Sequence, residues 1–353
     1  MISVKAAAGG GTGANATGKY EQALFFFEEP EIIVIDVKKV SKVVAVATKN
    51  VGGRGFFGAK VSNAQFRNYL KERFDLRYML LRPDRWTWYE FDLPDKLTDR
   101  VKLDYVELSR HRIDEYIPEQ GFFSREHTEQ YRGYTSDARD VQRFEVDGQW
   151  SMGDFGRLHS QIADLYALTK SVDAFADNAT PLEQKQDIVK SFVKPFQGGG
   201  SYVALFRSLA KAGGDEAKPD IKAIQWASPG FMDVVGDADA FDRMISLVEH
   251  FSGHRGEIKD AYEHLWSYLK ETQFLNRTSR TLDYSSSIST EIATRATELA
   301  RLIGVTSYSL LIKMAGQDHL VAAKALLGSA RRIAKLHEFF AEGRVSVAGT
   351  TID

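Results

Sequence analysis

Apolar residues in the first quarter of the chain fall into short runs, separated by charged or glycine-containing breaks. Six runs, rich in Val, Ile, Phe and Trp, have the length and composition typical of strands: residues 23–27, 32–37, 42–48, 56–61, 78–81 and 86–91. Between the fourth and fifth run, Phe66, Leu70 and Phe74 recur at every fourth position, which predicts a helix over residues 63–74. Residues 20–93 are therefore predicted to form a small β-rich domain with one helix.

The pattern changes to helical periodicity near residue 151. Residues 94–150 are polar, without a sustained apolar stripe, and we expect an irregular connection there. Two helices are then predicted, over residues 155–166 and after the capping box that begins at Thr180. Apolar runs at 201–206, 221–227 and 231–235 predict strands, and a helix is expected over 237–251. Residues 151–252 are thus expected to form an α+β middle domain.

The remainder of the chain has only helical spacing. Predicted helices cover residues 257–274, 291–303, 306–314 and 318–341. Residues 253–345 are therefore expected to form an all-helical region, and the fold class is α+β. Residues 1–19, rich in Ala and Gly, are expected to form a flexible tail.

Composition places the chain among ordinary globular proteins. Of its 353 residues, 43% are hydrophobic and 27% are charged, and none is cysteine, which excludes disulfides and thiolate sites. The N-terminus has no leucine-rich signal segment and no run of apolar residues is long enough to span a membrane. We expect a cytoplasmic protein without membrane contact.

Charge is distributed unevenly along the chain. Residues 38–82 contain eleven basic and two acidic residues, so this segment carries +9. The whole chain carries −2, and the rest must carry −11. Such an imbalance indicates an anionic partner or an acidic face elsewhere in the molecule.

Aromatic and basic residues alternate within this segment between Gly53 and Lys60. On a strand, such residues can stack on bases and neutralise phosphates, although a lysine-protected sheet edge has the same composition. The predicted polyanion-binding residues are Lys38, Lys39, Arg54, Phe56, Phe57, Lys60, Arg67, Arg73 and Arg77.

Residues 13–19 spell the first seven positions of a phosphate-binding loop. Tyr20 stands where the loop needs Ser or Thr, and the preceding residues are a poor buried strand. We expect no nucleotide site here.

His250, His254 and His264, together with Glu257, form the one histidine cluster of the sequence. Two histidines four residues apart share a helix face, as zinc sites require, but Gly253 interrupts this pair. We expect histidines on a polar face, with no metal and no cofactor.

Arg125, Arg132 and Arg139 recur at every seventh residue, and Arg143 follows them. Six carboxylates lie among these arginines or within four residues after the last one, which favours a solvated face with ion pairs over a phosphate clamp.

Two stretches carry a resemblance to other proteins. Residues 66–91 resemble a small N-terminal domain of uncharacterised bacterial proteins, and residues 324–345 resemble the closing helix of similar proteins. The resemblance implies a bacterial protein and no particular activity.

These observations favour a non-enzymatic binding or adaptor protein whose basic N-terminal domain engages nucleic acid or an acidic protein. By analogy, bacterial proteins of this kind often belong to accessory systems such as antiviral defence. The alternative is an enzyme, hydrolase or nuclease-like, whose site is assembled from scattered polar residues. The oligomeric state stays open.

Overall fold

The structure is a computed structural model of the chain. It describes residues 14–38, 41–50, 53–107, 116–133, 139–193, 203–214, 216–276 and 286–347. Both helices and strands contribute, as the predicted α+β class requires, and the chain divides into two compact units, Met1–Asp137 and Ala138–Asp353. Among the described residues, no helix combines the length and apolar character that a membrane crossing needs.

Six strands of the first unit close into a barrel in which every neighbouring pair is antiparallel. The strands are β1 (Ala16–Phe26), β2 (Pro30–Lys38), β3 (Ser41–Asn50), β4 (Gly53–Ser62), β5 (Trp88–Asp92) and β6 (Arg100–Val106). β6 closes the barrel against β1, so the prediction of irregular structure is wrong for that part of residues 94–150. Residues 16–19 belong to β1 rather than to a tail.

Strands β2, β3 and β4 are apolar on both faces, which explains their continuous hydrophobic runs. In β2, Ile33 and Ile35 belong to the core cluster that all six strands share inside the barrel. Their neighbours Ile32 and Val34 point to the opposite face and belong to a second cluster, which includes residues of the following helices. A strand buried on both faces loses the alternation that marks a half-exposed strand.

Helices α1 (Asn63–Leu70) and α2 (Leu76–Leu80) follow β4 and cover the outside of the barrel. The strand predicted at 78–81 is wrong, because the Asp75 side chain accepts a hydrogen bond from the Tyr78 amide and caps α2. Leu76, Met79 and Leu80 then all face the outer core, at the i, i+3, i+4 spacing of a helix. Local capping and helical packing therefore outweigh the β propensity of this segment.

Residues 116–133, which we call the strap, fasten α1 and α2 to β1. In its first half, the Phe122 carbonyl accepts a hydrogen bond from the Leu76 amide at 2.8 Å. At its end, the Gln22 side chain of β1 donates to the Gln130 carbonyl and accepts from the Arg132 amide. The strap thus fixes the position of both helices on the barrel.

The second unit consists of a four-stranded sheet and eight described helices. In the sheet, the strand order is β10 (Val345–Ser346), β7 (Asp140–Val146), β9 (Gly230–Gly236) and β8 (Asp220–Gln225). The helices are α3 (Met152–Ala176), α4 (Leu182–Val193), α5 (Val203–Ala212), α6 (Ala238–Gly253), α7 (Arg255–Glu271), α8 (Ser286–Ile303), α9 (Tyr308–Met314) and α10 (His319–Ala341).

The helical C-terminal region agrees with the sequence, since only the two-residue β10 interrupts it among the described residues. The strand predicted over 201–206 is wrong for its described part, because residues from Val203 onward form α5. Leu205, Phe206 and Leu209 are buried at helical spacing and anchor this helix in the core. The strand β7 also replaces the irregular structure expected near residue 140.

Candidate nucleic-acid interface

Nine residues were predicted to bind a polyanion, and six of them have side chains in the described part of the structure. Lys39 and the side chains of Lys38 and Arg54 lie outside it. The other six divide into two groups, the buried Phe56 and Phe57 and the more accessible basic residues that surround α1 and α2.

The expected stacking role of Phe56 and Phe57 is wrong, because both rings are buried. Phe56 is 3% exposed and stacks on Phe91 inside the barrel, with ring centroids 5.8 Å apart. Phe57 is fully buried on the outer face of β4, where it packs on Tyr116 of the strap. Neither ring can meet a base while the barrel is folded, so both residues belong to the core.

The basic residues of the prediction lie on or beside the α1–α2 segment. Arg67 is exposed on α1, and Arg73 is exposed between the two helices. Arg77 on α2 is half-buried and donates to the Pro118 carbonyl of the strap at 3.1 Å. Lys60, at the end of β4, lies 3.7 Å from the carboxylate of Asp84. Three of the basic residues therefore lie on the α1–α2 segment and Lys60 lies beside the turn that follows it, whereas both phenylalanines are buried.

An exposed column of aromatic and cationic groups runs along α2. The ring of Phe74 stacks on the ring of Tyr78, with centroids 5.0 Å apart. The guanidinium of Arg82 lies over the same Tyr78 ring, 3.8 Å from its centroid. Tyr78 remains 44% exposed in this arrangement. Cation–π contact holds the flexible arginine in place while its charge faces solvent.

A second exposed aromatic residue, Trp86, follows in the turn that leads into β5. Trp86 is 55% exposed, whereas Trp88 two residues later is buried and donates its indole N–H to the Leu80 carbonyl at 3.0 Å. The rings of the two tryptophans lie 6.0 Å apart. Arg85, next to Trp86, is exposed as well. Buried Trp88 thus anchors the turn, and Trp86 projects into solvent.

The carboxylates within this segment are already engaged. Asp75 caps α2 and also accepts a hydrogen bond from the Gly121 amide, while Glu72 pairs with Arg125 of the strap. Among the described residues, no carboxylate pairs with Arg82 or with Arg85. We call the following set the α1–α2 surface: Arg67, Arg73, Arg77, Tyr78, Arg82, Arg85 and Trp86. Within the described ranges, Arg82 and Arg85 of this surface carry positive charge without a paired carboxylate, and they lie on the same segment as the exposed rings of Tyr78 and Trp86.

The strap that supports this surface contains a half-buried histidine. The Nε2 atom of His127 lies 2.8 Å from the Tyr69 hydroxyl of α1. Burial lowers the pKa of His127 to about 4 and raises the pKa of Tyr69 above its usual range. Both groups are therefore neutral at physiological pH, and they hold the strap against α1 as an uncharged pair.

Two described cavities, of about 440 and 450 Å³, do not gather catalytic groups. A groove of about 440 Å³ on the first unit is lined by aromatic and aliphatic residues and contains one carboxylate, Glu31. In the second unit, burial raises the pKa of Asp164 and of Asp173, but each carboxylate pairs with an arginine, Arg332 and Arg243 respectively. These carboxylates are structural ion pairs rather than a convergent acid–base site.

The histidine cluster is spread over two helices and engages the backbone. His250 lies 2.9 Å from the Leu302 carbonyl, and its ring stacks on His254. His254 in turn contacts the His250 carbonyl, at the boundary between α6 and α7. Within the described ranges, no three His, Asp or Glu side chains are grouped as a metal ion would require.

Residues 14–19 contain no loop that could surround a phosphate. Residues 16–19 form the start of β1, and Gly18 pairs with Val101 of β6. A side chain at Gly18 would collide with Ile35, because an added Cβ would lie 2.4 Å from its Cγ2 atom. Gly18 therefore permits close packing of strands. Gly13 lies outside the described residues.

The regularly spaced arginines do not share a helix, although three of them form ion pairs. Arg125 contacts Glu72, and Arg139 contacts Asp220 at 2.9 Å. Arg143 binds both carboxylate oxygens of Asp233, at 2.7 and 2.8 Å. Arg132 lies in a turn of the strap. The expected ion pairs are therefore present at these three arginines.

Comparison with protein-family models, with curated proteins and with solved structures finds no match to this chain.

The exposed rings of the α1–α2 surface were missed by the sequence reasoning. Tyr78 and Trp86 were assigned to predicted strands, and the sequence of a strand does not show which of its rings are exposed or what they contact. Two signals were present, since Asp75 is a helix N-cap residue and Pro83-Asp84 is a turn pair that is separated from Trp86 by Arg85 alone. Both signals place the following aromatic residue outside a strand.

Proposed function

We propose that this protein binds nucleic acid through the α1–α2 surface. The observation that supports the proposal is the Arg82 guanidinium lying 3.8 Å over the exposed ring of Tyr78, with Arg85 and exposed Trp86 three and four residues further along the chain. Proteins that bind single strands combine basic grooves with rings on which bases stack. The same two components are present here on one segment.

Phosphate contacts supply most of the expected affinity. The α1–α2 surface contains five arginines, and each arginine that replaces a counterion on the nucleic acid contributes to a salt-dependent affinity. Five such contacts predict that the logarithm of the binding constant falls by about 3.5 per tenfold rise in salt, at about 0.7 per contact on a single strand. Between 50 and 200 mM salt, affinity should then fall about a hundredfold.

Nucleic acid is favoured over an acidic protein as the partner. Arginines alone are sufficient to bind acidic side chains. The exposed rings of Tyr78 and Trp86 add flat apolar faces on which bases can stack. A binding role is favoured over catalysis, since the two described cavities of about 440 and 450 Å³ contain a single carboxylate between them, Glu31.

The proposal is tested by fluorescence anisotropy with labelled single-stranded DNA and RNA over a series of salt concentrations. The double variant Arg82→Gln/Arg85→Gln should bind more weakly to every sequence, with a salt slope lower by about 1.4. Lys102→Gln is the matched control, because Lys102 is exposed on β6, outside the α1–α2 surface. Its slope should change by less than half as much as that of the double variant.

Two results would contradict the proposal. The first is no binding to DNA or RNA at 50 mM salt. The second is an equal effect of Lys102→Gln and of the arginine variant, which would indicate nonspecific attraction by the whole unit. Binding to polyglutamate with the same dependence on Arg82 and Arg85, but no binding to nucleic acid, would identify an acidic protein as the partner instead.

A further inference from the structure

We infer that the Arg85–Trp86 corner is a preformed stacking site for one unpaired base, which makes single strands the preferred ligand. This inference rests on the proposed function and names the ligand class of the same surface. The juxtaposition that carries it is an exposed indole, two arginines without carboxylate partners and a left-handed backbone at the same turn.

The backbone of this corner is exceptional among the described residues. Arg85 and Trp86 both have positive φ, at 52° and 53°, and they are the one consecutive pair of residues other than glycine with this conformation there. The remaining positive-φ residues other than glycine lie within three positions after an α-helix, where the left-handed conformation ends the helix: Glu72, Gln273 and Gln317. Arg85 comes five residues after α2, so helix termination does not explain it.

Contacts on both sides of the corner keep it in this conformation. The Thr87 hydroxyl donates to the Arg85 carbonyl at 3.2 Å, and the Thr87 carbonyl accepts from the Lys60 amide at 3.0 Å. The side chain of Lys60 reaches back to Asp84 at the start of the turn. A left-handed conformation of two large residues persists only where contacts with the surrounding structure stabilise it. Strained conformations of this kind cluster at functional sites.

The consequence of the corner is that Trp86 points outward while Trp88 stays inside. Trp88 already fills the core at this point. An extension of β5 back through residue 86 would therefore not explain why the indole of Trp86 is exposed. Among the described residues, no hydrogen-bond partner is found for the indole N–H of Trp86, which remains available to a ligand. The ring is thus held in place before any ligand arrives, which reduces the entropy lost on binding.

The chemistry of the corner fits a base with its phosphates. An indole face attracts a flat π system, and Arg85 beside it and Arg82 four residues earlier supply charge for the flanking phosphates. Bases of a duplex are stacked on both faces, so only an unpaired base can place a face on Trp86. Stacking on one ring predicts a loss of about 5- to 150-fold in single-strand affinity when the ring is removed.

The experiment compares three variants of the full chain, Trp86→Gly, Trp86→Phe and Arg85→Gly, on a labelled single strand and on the corresponding duplex. Glycine adopts positive φ without strain, so Trp86→Gly removes the ring and relieves the backbone together. We expect it to lose about 5- to 150-fold in single-strand affinity and less than threefold on duplex, with a thermal midpoint that is unchanged or raised. Trp86→Phe should keep single-strand affinity within about threefold, because it retains a ring.

Tryptophan fluorescence gives a readout that does not depend on stability. Saturating single strand should quench the emission of the wild type, and this quenching should be greatly reduced in Trp86→Phe although affinity is kept. Phe27→Leu is the control, since Phe27 is an exposed aromatic residue in the turn between β1 and β2, without the left-handed corner. It should leave affinity and quenching unchanged.

The outcomes separate the inference from the proposed function. If the wild type binds neither ligand, the proposed function fails. If it binds and Trp86→Gly affects single strand and duplex alike, or if quenching persists in Trp86→Phe, the inference fails and the proposed function stands. A fall in the thermal midpoint of Arg85→Gly would show that the corner is not strained and would contradict a preformed site.

Discussion

Replacing Phe56 with alanine should unfold the barrel rather than remove a binding contact. The ring is 3% exposed, lies inside the barrel and stacks on Phe91 with centroids 5.8 Å apart. The variant therefore loses the buried apolar area of the ring and also its contact with the Phe91 ring. Removing a buried phenylalanine costs about 3–5 kcal/mol, of which about 0.5–1.5 kcal/mol belongs to the ring pair. Such a loss is comparable with the whole stability of a small domain.

Hydrogen exchange of the full chain, followed by mass spectrometry, measures this effect within one unit. Amides of β3 and β4, which pair along their full lengths, exchange through opening of the barrel. A loss of 3–5 kcal/mol should raise their exchange rates by about 10²- to 10⁴-fold. Peptides from the second unit give an internal reference, and Tyr78→Ala is the comparison, because an exposed ring should change these rates by less than tenfold.

Unchanged exchange in β3 and β4 of Phe56→Ala would refute the reasoning. It would mean that the ring contributes nothing to the barrel, and that its burial is not what holds the strands together. A specific loss of single-strand affinity in the same variant, at unchanged stability, would return Phe56 to the role that the sequence predicted for it.

Two further predictions concern buried ionisable groups. Because burial lowers the pKa of His127 to about 4, the unfolded chain binds a proton that the folded unit does not, between about pH 6.5 and 4. The stability of the first unit should therefore fall as pH decreases through this window, by no more than about 1.4 kcal/mol per pH unit from this group, and His127→Gln should reduce that slope in urea titrations. In the second unit, Arg332→Met should cost about 3 kcal/mol at pH 7, because it leaves Asp164 half-buried without the guanidinium 2.8 Å away. Since burial already raises the pKa of Asp164, the cost should shrink as the pH is lowered, because a protonated carboxyl no longer needs the guanidinium; an equal cost at pH 7 and at pH 4 would contradict the ion-pair account.

The sequence predicted the apolar strands of the barrel and the helical C-terminal region because both depend on local periodicity. Ile32–Val37 and the apolar stripe of residues 318–341 needed no knowledge of distant partners. By contrast, the segment after Asp75 carried strand propensity in its residues and a helix cap at its start, and packing of Leu76, Met79 and Leu80 decided the outcome.

The charge of the candidate site could be predicted from the sequence, but the exposure of its aromatic rings could not. Charge can be counted in a sequence, so the basic segment that contains Arg67, Arg73 and Arg77 was identified. The exposure of a side chain cannot be counted in the same way, because it depends on residues that are distant in the chain. The outer face of β4 is covered by α1, α2 and the strap, and the strap lies about sixty residues further along. Phe57 was for that reason assigned to the surface, and Trp86, exposed by an unusual backbone conformation, was assigned to a strand.

The central claim is that nucleic acid contacts the α1–α2 surface, and photochemical crosslinking tests it most directly. Single strands that carry 4-thiouridine or 5-bromouracil, irradiated with the full chain and digested, should yield crosslinked peptides that contain Tyr78 and Trp86. These peptides should disappear at high salt and in the Arg82→Gln/Arg85→Gln variant, because the charge that holds the strand is then screened or removed. Crosslinks found mainly in the second unit, or on β5 and β6 at unchanged yield in the arginine variant, would contradict the account.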